Sequence, residues 1–382
     1  MKKIIFGAGY YGKKALMELG EEQVYCFIDN DEEKQDKGFC DKRVISIDEY
    51  KNSYNEFEVI IASRRFREIE RQLESHCVGS FSVWFPRYTQ FSDDSKLIVN
   101  NYEDRSPTLS ESEKVDPEKE HIQFLNDCTD ALFKQKPLFN HIEIETYNRC
   151  NGRCAFCPVH AGHDPREECY MTEELFYRIV DELSEIDYKG CMALFSNNEP
   201  FLDERIIKFH RIVRSRIPKA RMHLFTNGTK LTMEKFVEIV QYLDELIINN
   251  YNEKNELNNN QRLVVEYCAK HPELIKKVTI VMRHPYEVLE TRGGTAPNRK
   301  KRAVYSNAKC THPFRQMIVR SNGKVSLCCN DAIGVTDMGD VERESLIDIW
   351  YGDKFNEARE ILWSCGRERI SICKYCDSFR IV

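Results

Sequence analysis

Strand-like and helix-like segments alternate through the middle of this 382-residue chain. Five short apolar segments have the length of strands, at residues 141–147, 192–196, 222–226, 245–249 and 278–283. Amphipathic helical segments lie between them, including residues 172–186, 204–214 and 232–243. This α/β alternation predicts a parallel sheet with right-handed crossovers, which would be a TIM barrel if it closed. The chemistry of such a sheet belongs at the carboxyl ends of its strands.

The loop after the first of these strands carries three cysteines, Cys150, Cys154 and Cys157. Three thiolates this close together can converge on one soft-metal centre, and a [4Fe-4S] cube has four irons that each prefer a thiolate. One iron would stay open to a small molecule that carries an amine and a carboxylate. The alternatives are a zinc site, which normally has four closed ligands, and a chance group of buried cysteines.

The C-x3-C-x2-C spacing, with Phe156 before the last cysteine and Pro158 after it, resembles the signature of the radical S-adenosylmethionine (SAM) enzymes. The resemblance implies an open, partial barrel rather than a closed one. It also implies that the cluster reduces SAM and that a 5′-deoxyadenosyl radical then takes a hydrogen atom from the substrate. A reductant such as flavodoxin or ferredoxin is the expected partner.

Polar residues follow the predicted strands in the order that this resemblance implies. The segment 196–200 is similar to the family's G-G-E-P stretch, which binds the methionine amine of SAM, although Asn197 and Asn198 stand where glycines are usual. Each strand end taken alone could instead be a cap or a turn. The residues expected to contact SAM are Asn198, Glu199, Thr226, Asn227, Asn249 and Arg283.

Residues 1–90 predict a separate Rossmann-like domain. A strand at 3–6 leads into the G-x-G-x-x-G turn of Gly7, Gly9 and Gly12, and a second strand at 24–28 ends at Asp29. Such glycines let a phosphate approach the N-terminus of a helix, and the acid can hold a ribose. We therefore predict a nucleotide or nucleotide-sugar site, with a purely turn-forming role of the glycines as the alternative. The segment also resembles small domains appended to sugar-modifying transferases.

Residues 91–117 are polar and charged and predict a linker. A helix over 117–134 follows, with apolar residues at helical spacing, and it leads into the first barrel strand. The barrel domain is expected over residues 118–305, and a small α+β module over residues 306–382.

A second set of cysteines lies in this C-terminal module. Two short strands around the turn Asn322-Gly323 predict a hairpin, and a helix over 346–362 precedes the closing C-x2-C pair. Four cysteines can satisfy every iron of a second [4Fe-4S] cluster, whereas a four-cysteine zinc site is the alternative. The expected ligands are Cys310, Cys328, Cys373 and Cys376.

The module resembles the SPASM and twitch auxiliary-cluster domains of radical SAM enzymes. Because the chain ends six residues beyond Cys376, the single-cluster twitch type is expected, with Cys329 and Cys365 as spare thiols. The order and spacing of the motifs over residues 140–380 resemble the aminocyclitol dehydrogenases of the family.

Arg292 lies where related enzymes lead a loop past the substrate, so it is the expected catalytic residue, able to bind a hydroxyl or an oxyanion, with an ordinary surface arginine as the alternative. An auxiliary cluster would accept the second electron when a substrate radical is deprotonated to a ketone. We therefore expect oxidation of a sugar, aminocyclitol or nucleotide-sugar alcohol. The alternatives are epimerisation with Cys191 or Cys329 as hydrogen donor, peptide maturation, and a non-catalytic iron-sulfur or zinc scaffold.

Composition limits the possible partners and the compartment. The net charge of −6 does not favour binding to nucleic acid or to an anionic membrane, since both attract positively charged proteins. No apolar run approaches the roughly 20 residues that span a bilayer, and the N-terminus shows no signal-peptide pattern. Sixteen cysteines in such a chain favour a reducing compartment, so a cytoplasmic protein is expected.

Overall fold

A computed structural model describes residues 2–86, 96–100, 102, 108–114, 117–303 and 307–381. The chain divides into two compact units, residues 1–87 and 88–382, and each is described by itself. Among the described residues, no helix is both long enough and apolar enough to cross a membrane.

The first unit is a five-stranded parallel sheet in the order β3-β2-β1-β4-β5. Its strands are β1 (Lys3–Phe6), β2 (Val24–Ile28), β3 (Val44–Ile45), β4 (Glu58–Ile61) and β5 (Phe81–Val83). Its helices are α1 (Tyr10–Leu19), α2 (Glu32–Lys37), α3 (Ile47–Ser53) and α4 (Phe66–Ser75). The strand order reverses beside β1, which is the doubly wound arrangement of Rossmann-like folds.

The second unit contains the predicted βα array as part of a nine-stranded sheet. Five consecutive parallel strands form its centre: β7 (His141–Ile144), β8 (Cys191–Ala193), β9 (Arg221–Thr226), β10 (Glu245–Tyr251) and β11 (Val278–Arg283). The helices that precede and connect them are α5 (Lys119–Gln135), α6 (Glu173–Glu185), α7 (Ile206–Arg216), α8 (Met233–Ile239) and α9 (Asn259–Lys270). The predicted α/β fold class is confirmed, and the sheet is open, since its edge strands, Gly339–Asp340 and Ile98–Asn100, do not pair with each other among the described residues.

Side-chain caps explain where several of these helices begin. At the start of α6, the Thr172 side chain accepts a hydrogen bond from the Leu175 amide. At the start of α8, the Thr232 side chain accepts one from the Lys235 amide. Asn258 and Gln261 form a reciprocal capping box at the start of α9. Each cap satisfies a backbone donor that the helix itself leaves free, which is worth roughly 1 kcal/mol.

A strand precedes α5 within the interval 91–117 that the sequence predicts to be a linker. Ile98–Asn100 forms β6 and pairs in parallel with β11 at the edge of the sheet. The Tyr102 hydroxyl donates to the Glu287 carboxylate, which attaches this interval further. Residues 91–95, 101, 103–107 and 115–116 of the interval lie outside the described residues.

The C-terminal module continues the same sheet rather than forming a separate one. The predicted hairpin consists of β12 (Gln316–Val319) and β13 (Lys324–Ser326), and β12 pairs in parallel with β7. A short strand, β14 (Gly339–Asp340), completes the edge. The single helix expected over 346–362 is two helices, α10 (Leu346–Tyr351) and α11 (Asp353–Ser364). They separate at Gly352, where an added Cβ would lie 2.7 Å from the Asp348 carbonyl oxygen.

Candidate active site

The three cysteines of the C-x3-C-x2-C motif lie on the loop that follows β7. Burial raises the pKa of Cys150 to about 12, and the Gly152 amide, 3.3 Å from its sulfur, opposes the shift. Burial raises the pKa of Cys154 as well, and Cys157 raises the pKa of both neighbours. A metal centre would reverse these shifts because it binds thiolates. The three neighbouring thiols are therefore candidate ligands of one iron-sulfur cluster.

Three of the predicted SAM residues form one hydrogen-bonded group beside this loop. The buried Glu199 carboxylate accepts from the Thr226 hydroxyl and from the Asn227 amide, both at 2.7 Å. The Asn227 side chain in turn donates to Asn151, inside the cysteine loop, at 2.9 Å. The segments that follow β8 and β9 are thereby attached to the cysteine motif.

The remaining predicted SAM residues also lie at the carboxyl ends of strands. Asn249 and Arg283 line a cleft of about 230 Å³. The Arg283 guanidinium donates to Glu287 at 2.6 Å. The Asn198 amide nitrogen is buried and lacks a hydrogen-bond partner within the described part of the chain, so it is available to a ligand.

Arg292 lies in the same cleft, which places it where the sequence predicts a catalytic residue. Its backbone is left-handed, at φ 51°, and the two glycines that follow it also have positive φ. Its guanidinium donates to the Asn197 side chain at 2.9 Å. The alternative of an ordinary surface arginine does not describe this position, because Arg292 lines the cleft.

The four C-terminal cysteines Cys310, Cys328, Cys373 and Cys376 line one small cavity. Burial raises the pKa of Cys328 and Cys373 well above the usual thiol value, and raises that of Cys376 to about 11. Among the described residues, no group of three or more His, Cys, Asp or Glu side chains is placed to hold a single metal ion. The four cysteines line one cavity, which is the arrangement that a cluster with four cysteine ligands needs.

A buried cation lies beside this cavity. Arg367 is 1% exposed, and its guanidinium donates to the carbonyl oxygens of Lys309, Cys376 and Ser378. Its charge lowers the pKa of Cys373 and Cys376, against the larger effect of burial. A cubane with four thiolates carries negative charge, so a buried arginine is the counter-charge that such a site needs.

In the first unit, the three glycines of the turn have different surroundings. A Cβ at Gly7 would lie 2.6 Å from the Ala62 carbonyl oxygen, and one at Gly12 would lie 1.9 Å from the Gly7 carbonyl oxygen. A Cβ at Gly9 would meet nothing within 4 Å. Asp29 accepts from the Ala8 amide at 2.7 Å and lies 3.3 Å from the Lys34 ammonium. Gly7 and Gly12 are thus required by the fold, and only Gly9 faces open space.

Several cleft residues were not predicted from the sequence. Glu143 on β7 is buried, and its carboxylate accepts from the Ser196 hydroxyl at 2.6 Å and from the Gln316 side chain at 3.0 Å. Charged residues at positions 143 and 145 of an otherwise apolar strand were the available signal, since alternate residues of a strand face the same side. Gln316 gave no such signal because its position depends on the pairing of β12 with β7.

Family models match three parts of the chain. The Radical SAM superfamily matches residues 144–252, and the SPASM iron-sulfur cluster-binding domain matches residues 310–377. The chain is a radical SAM enzyme with a SPASM domain. SAM and [4Fe-4S] clusters are the cofactors that these domains imply for this radical SAM enzyme, as predicted. The C2185-like N-terminal family matches residues 1–80.

A curated sequence and a solved structure are similar to the radical SAM enzyme over about two thirds of its length. One is the S-adenosyl-L-methionine-dependent 2-deoxy-scyllo-inosamine dehydrogenase of Niallia circulans, 28% identical over 64% of this chain and 95% of the relative. The other is the crystal structure of BtrN in complex with AdoMet and 2-DOIA, 27% identical with a TM-score of 0.55. That match covers 63% of this chain and 94% of the BtrN chain.

Proposed function

We propose that this radical SAM enzyme is an oxidoreductase that converts a secondary alcohol of an aminocyclitol, or of a related sugar, to a ketone. The observation that carries the proposal is the shared wall of two cavities. His312 and Asn330 line both the cleft and the four-cysteine cavity. A substrate in the cleft would therefore lie one residue away from an electron acceptor, and the similarity to a dehydrogenase supports the same reaction.

The two predicted cofactors would supply hydrogen abstraction at one end of the cleft and one-electron oxidation at the other. Arg292 would bind the substrate hydroxyl through the guanidinium donors that Asn197 does not occupy. Asn249 and Arg283 would bind SAM at the carboxyl ends of β10 and β11. The wall of aromatic side chains, including Phe156 and Phe225, would exclude water.

The test uses the anaerobically reconstituted full chain with dithionite, SAM and 2-deoxy-scyllo-inosamine or related aminocyclitols. Formation of a product lighter by two hydrogens, in step with 5′-deoxyadenosine, supports the proposal. SAM cleavage without any ketone from the whole series contradicts the dehydrogenase, and no cleavage at all supports the scaffold alternative.

Epimerisation is the second candidate, because the structure separates the two thiols proposed as hydrogen donors. Cys329 lines the cleft, whereas Cys191 is completely buried at the start of β8. Burial raises the pKa of Cys329 to about 12, so it keeps its hydrogen at neutral pH. An epimer that gains one deuterium in deuterium oxide, and is lost in Cys329→Ala, would favour this reaction. Peptide maturation has no comparable observation in its favour.

Three predictions of the sequence remain proposals. The first unit would bind a nucleotide or nucleotide-sugar at the open face of Gly9, since Gly7, Gly12 and Asp29 are engaged within the fold. A flavodoxin or ferredoxin would supply electrons to the cluster that cleaves SAM. The cysteine-rich composition favours the reducing cytoplasm. Calorimetry of the full chain with NAD(P) and nucleotide-sugars tests the first of these.

A further inference from the structure

The carboxylate of Glu143 is built into the floor of the cleft. Strand β7 places it there between β8 and β12, the two strands that pair with β7. One carboxylate oxygen accepts from the Ser196 hydroxyl at 2.6 Å, and the other accepts from the Gln316 side chain at 3.0 Å. Each oxygen keeps a second lone pair for a group within the cleft.

Hydrogen bonds connect this carboxylate to the segment that carries Cys328. Gln316 accepts from the Cys329 amide at 3.1 Å, and Asn197 donates to the Cys329 carbonyl oxygen at 3.3 Å. Asn197 also donates to the Ser196 hydroxyl at 3.2 Å. We call this set the Glu143 network, and its members are Glu143, Ser196, Asn197, Arg292, Gln316 and Cys329.

Dehydrogenation needs a group that takes the hydroxyl proton, and most titratable groups of the cleft are unsuited to this. Burial lowers the pKa of His141 to about 3, so it is a weak base, and Arg292 stays protonated. Cys329 and His312 adjoin the expected cluster ligands Cys328 and Cys310, and a ring nitrogen of His312 lies 3.5 Å from the Cys310 sulfur. Burial raises the pKa of Glu143 to about 7, although the hydrogen bond from Ser196 opposes this shift. A general base is most effective when its pKa lies near the working pH.

The second carboxylate of the cleft is differently placed. Glu290 lies 2.8 Å from the Arg380 guanidinium, and the ion pair occupies it. Glu143 has no ion pair at such a distance among the described residues; its nearest cation-forming group is His141, 4.0 Å away. The more distant charges that act on it are Arg292 and Arg320, which favour its ionised form, and Glu145, which opposes it.

We propose that Glu143 is the general base of the reaction, accepting the hydroxyl proton as the substrate radical is oxidised. This inference rests on the proposed dehydrogenation. The C–H hydrogen atom leaves to the SAM-derived radical, the O–H proton goes to Glu143, and the remaining electron goes to an iron-sulfur cluster as one-electron oxidant. The carbon-oxygen single bond thereby becomes the double bond of the ketone, and the Glu143 network holds proton and electron acceptors side by side.

The test compares Glu143→Gln with Glu290→Gln in the reconstituted full chain. The glutamine at position 143 keeps the size of the side chain but cannot take a proton. We expect ketone formation to fall by about a hundredfold or more. Abstraction precedes the proton transfer, so deuterium from a substrate labelled at the carbinol carbon should still reach 5′-deoxyadenosine. Glu290→Gln should keep the wild-type increase of the rate with rising pH, which we call the acid limb of the pH profile, whatever its maximal rate.

The pH profile gives the second readout. A base works when deprotonated, so the wild-type rate should rise with pH through the pKa of Glu143, near 7, and Glu143→Gln should lose this limb. Infrared difference spectra of the same proteins should show a carboxyl group that ionises over the same pH range in wild type and is absent from Glu143→Gln. Glu143→Asp, which keeps a carboxylate, should be slower but retain the limb.

The outcomes are distinguishable. Ketone formation in Glu143→Gln within about threefold of wild type, with the acid limb intact, refutes the base assignment and leaves the dehydrogenase standing. A wild type that yields no ketone refutes the dehydrogenase and the base together. If Glu143→Gln is insoluble, a Glu143→Asp variant with the wild-type rate and the wild-type pH profile refutes the assignment.

Discussion

Replacing Gly12 by alanine tests whether the turn glycines of the first unit serve the fold. The added Cβ would lie 1.9 Å from the Gly7 carbonyl oxygen and 3.3 Å from the Phe27 ring. A contact with backbone cannot be relieved by a rotamer change, so we expect a cost near the upper end of overpacking, about 3 kcal/mol. Alanine returns at most about 1 kcal/mol of helix propensity in α1. The net destabilisation is then about 2 kcal/mol.

For a unit of 87 residues this loss corresponds to a fall of roughly 8–16 °C in its thermal midpoint. Gly9→Ala is the matched control: its Cβ meets nothing within 4 Å, and its φ of −151° suits any residue, so the midpoint should change little. Differential scanning calorimetry of the full chain measures both variants. Equal midpoints for the two variants would refute this account of the turn.

Three further variants test the second unit. Replacing Cys150, Cys154 and Cys157 together by alanine should abolish SAM cleavage and remove about four irons per chain, measured by iron analysis; retained cleavage would contradict the motif's role. Arg292→Lys keeps the charge but loses the planar donor set, so ketone formation should fall by roughly tenfold or more while SAM cleavage persists. Arg367→Gln removes a buried cation, so a cluster in the four-cysteine cavity should become harder to reduce in an EPR-monitored redox titration. An unchanged potential would show that Arg367 only holds the loop.

Local sequence patterns predicted the elements of the second unit well, because each central strand is a short apolar run between polar turns. The cysteine spacing likewise indicated which thiols lie together. The strand β6 escaped prediction because three residues carry too little periodicity to identify a strand. Its existence depends on pairing with β11, far along the chain. Sequence patterns do not report such long-range partners.

The same limit applies to the site. The positions of Asn249 and Arg283 at the carboxyl ends of strands were predicted because strand ends are recognisable from sequence. Glu143 was not predicted, because its role depends on which strand lies beside β7. Asp29 shows the opposite case: its position after β2 was predicted, yet the Ala8 amide and Lys34 already occupy the carboxylate. A motif specifies where a side chain lies more reliably than what it binds.

The pairing of β12 with β7 would help to set the distance over which electrons pass in the proposed reaction. Cys310 and Cys328 flank the hairpin of β12 and β13, and β12 pairs with β7, whose loop carries the other cysteine set, so backbone hydrogen bonds connect the two sets. If the two clusters are held at a fixed separation, that separation limits the size of the substrate that fits between them. A change of substrate would then come from residues lining the gap rather than from movement of the module. Exchanging this module between relatives should therefore succeed only where the register of Gln316 with His141 is kept.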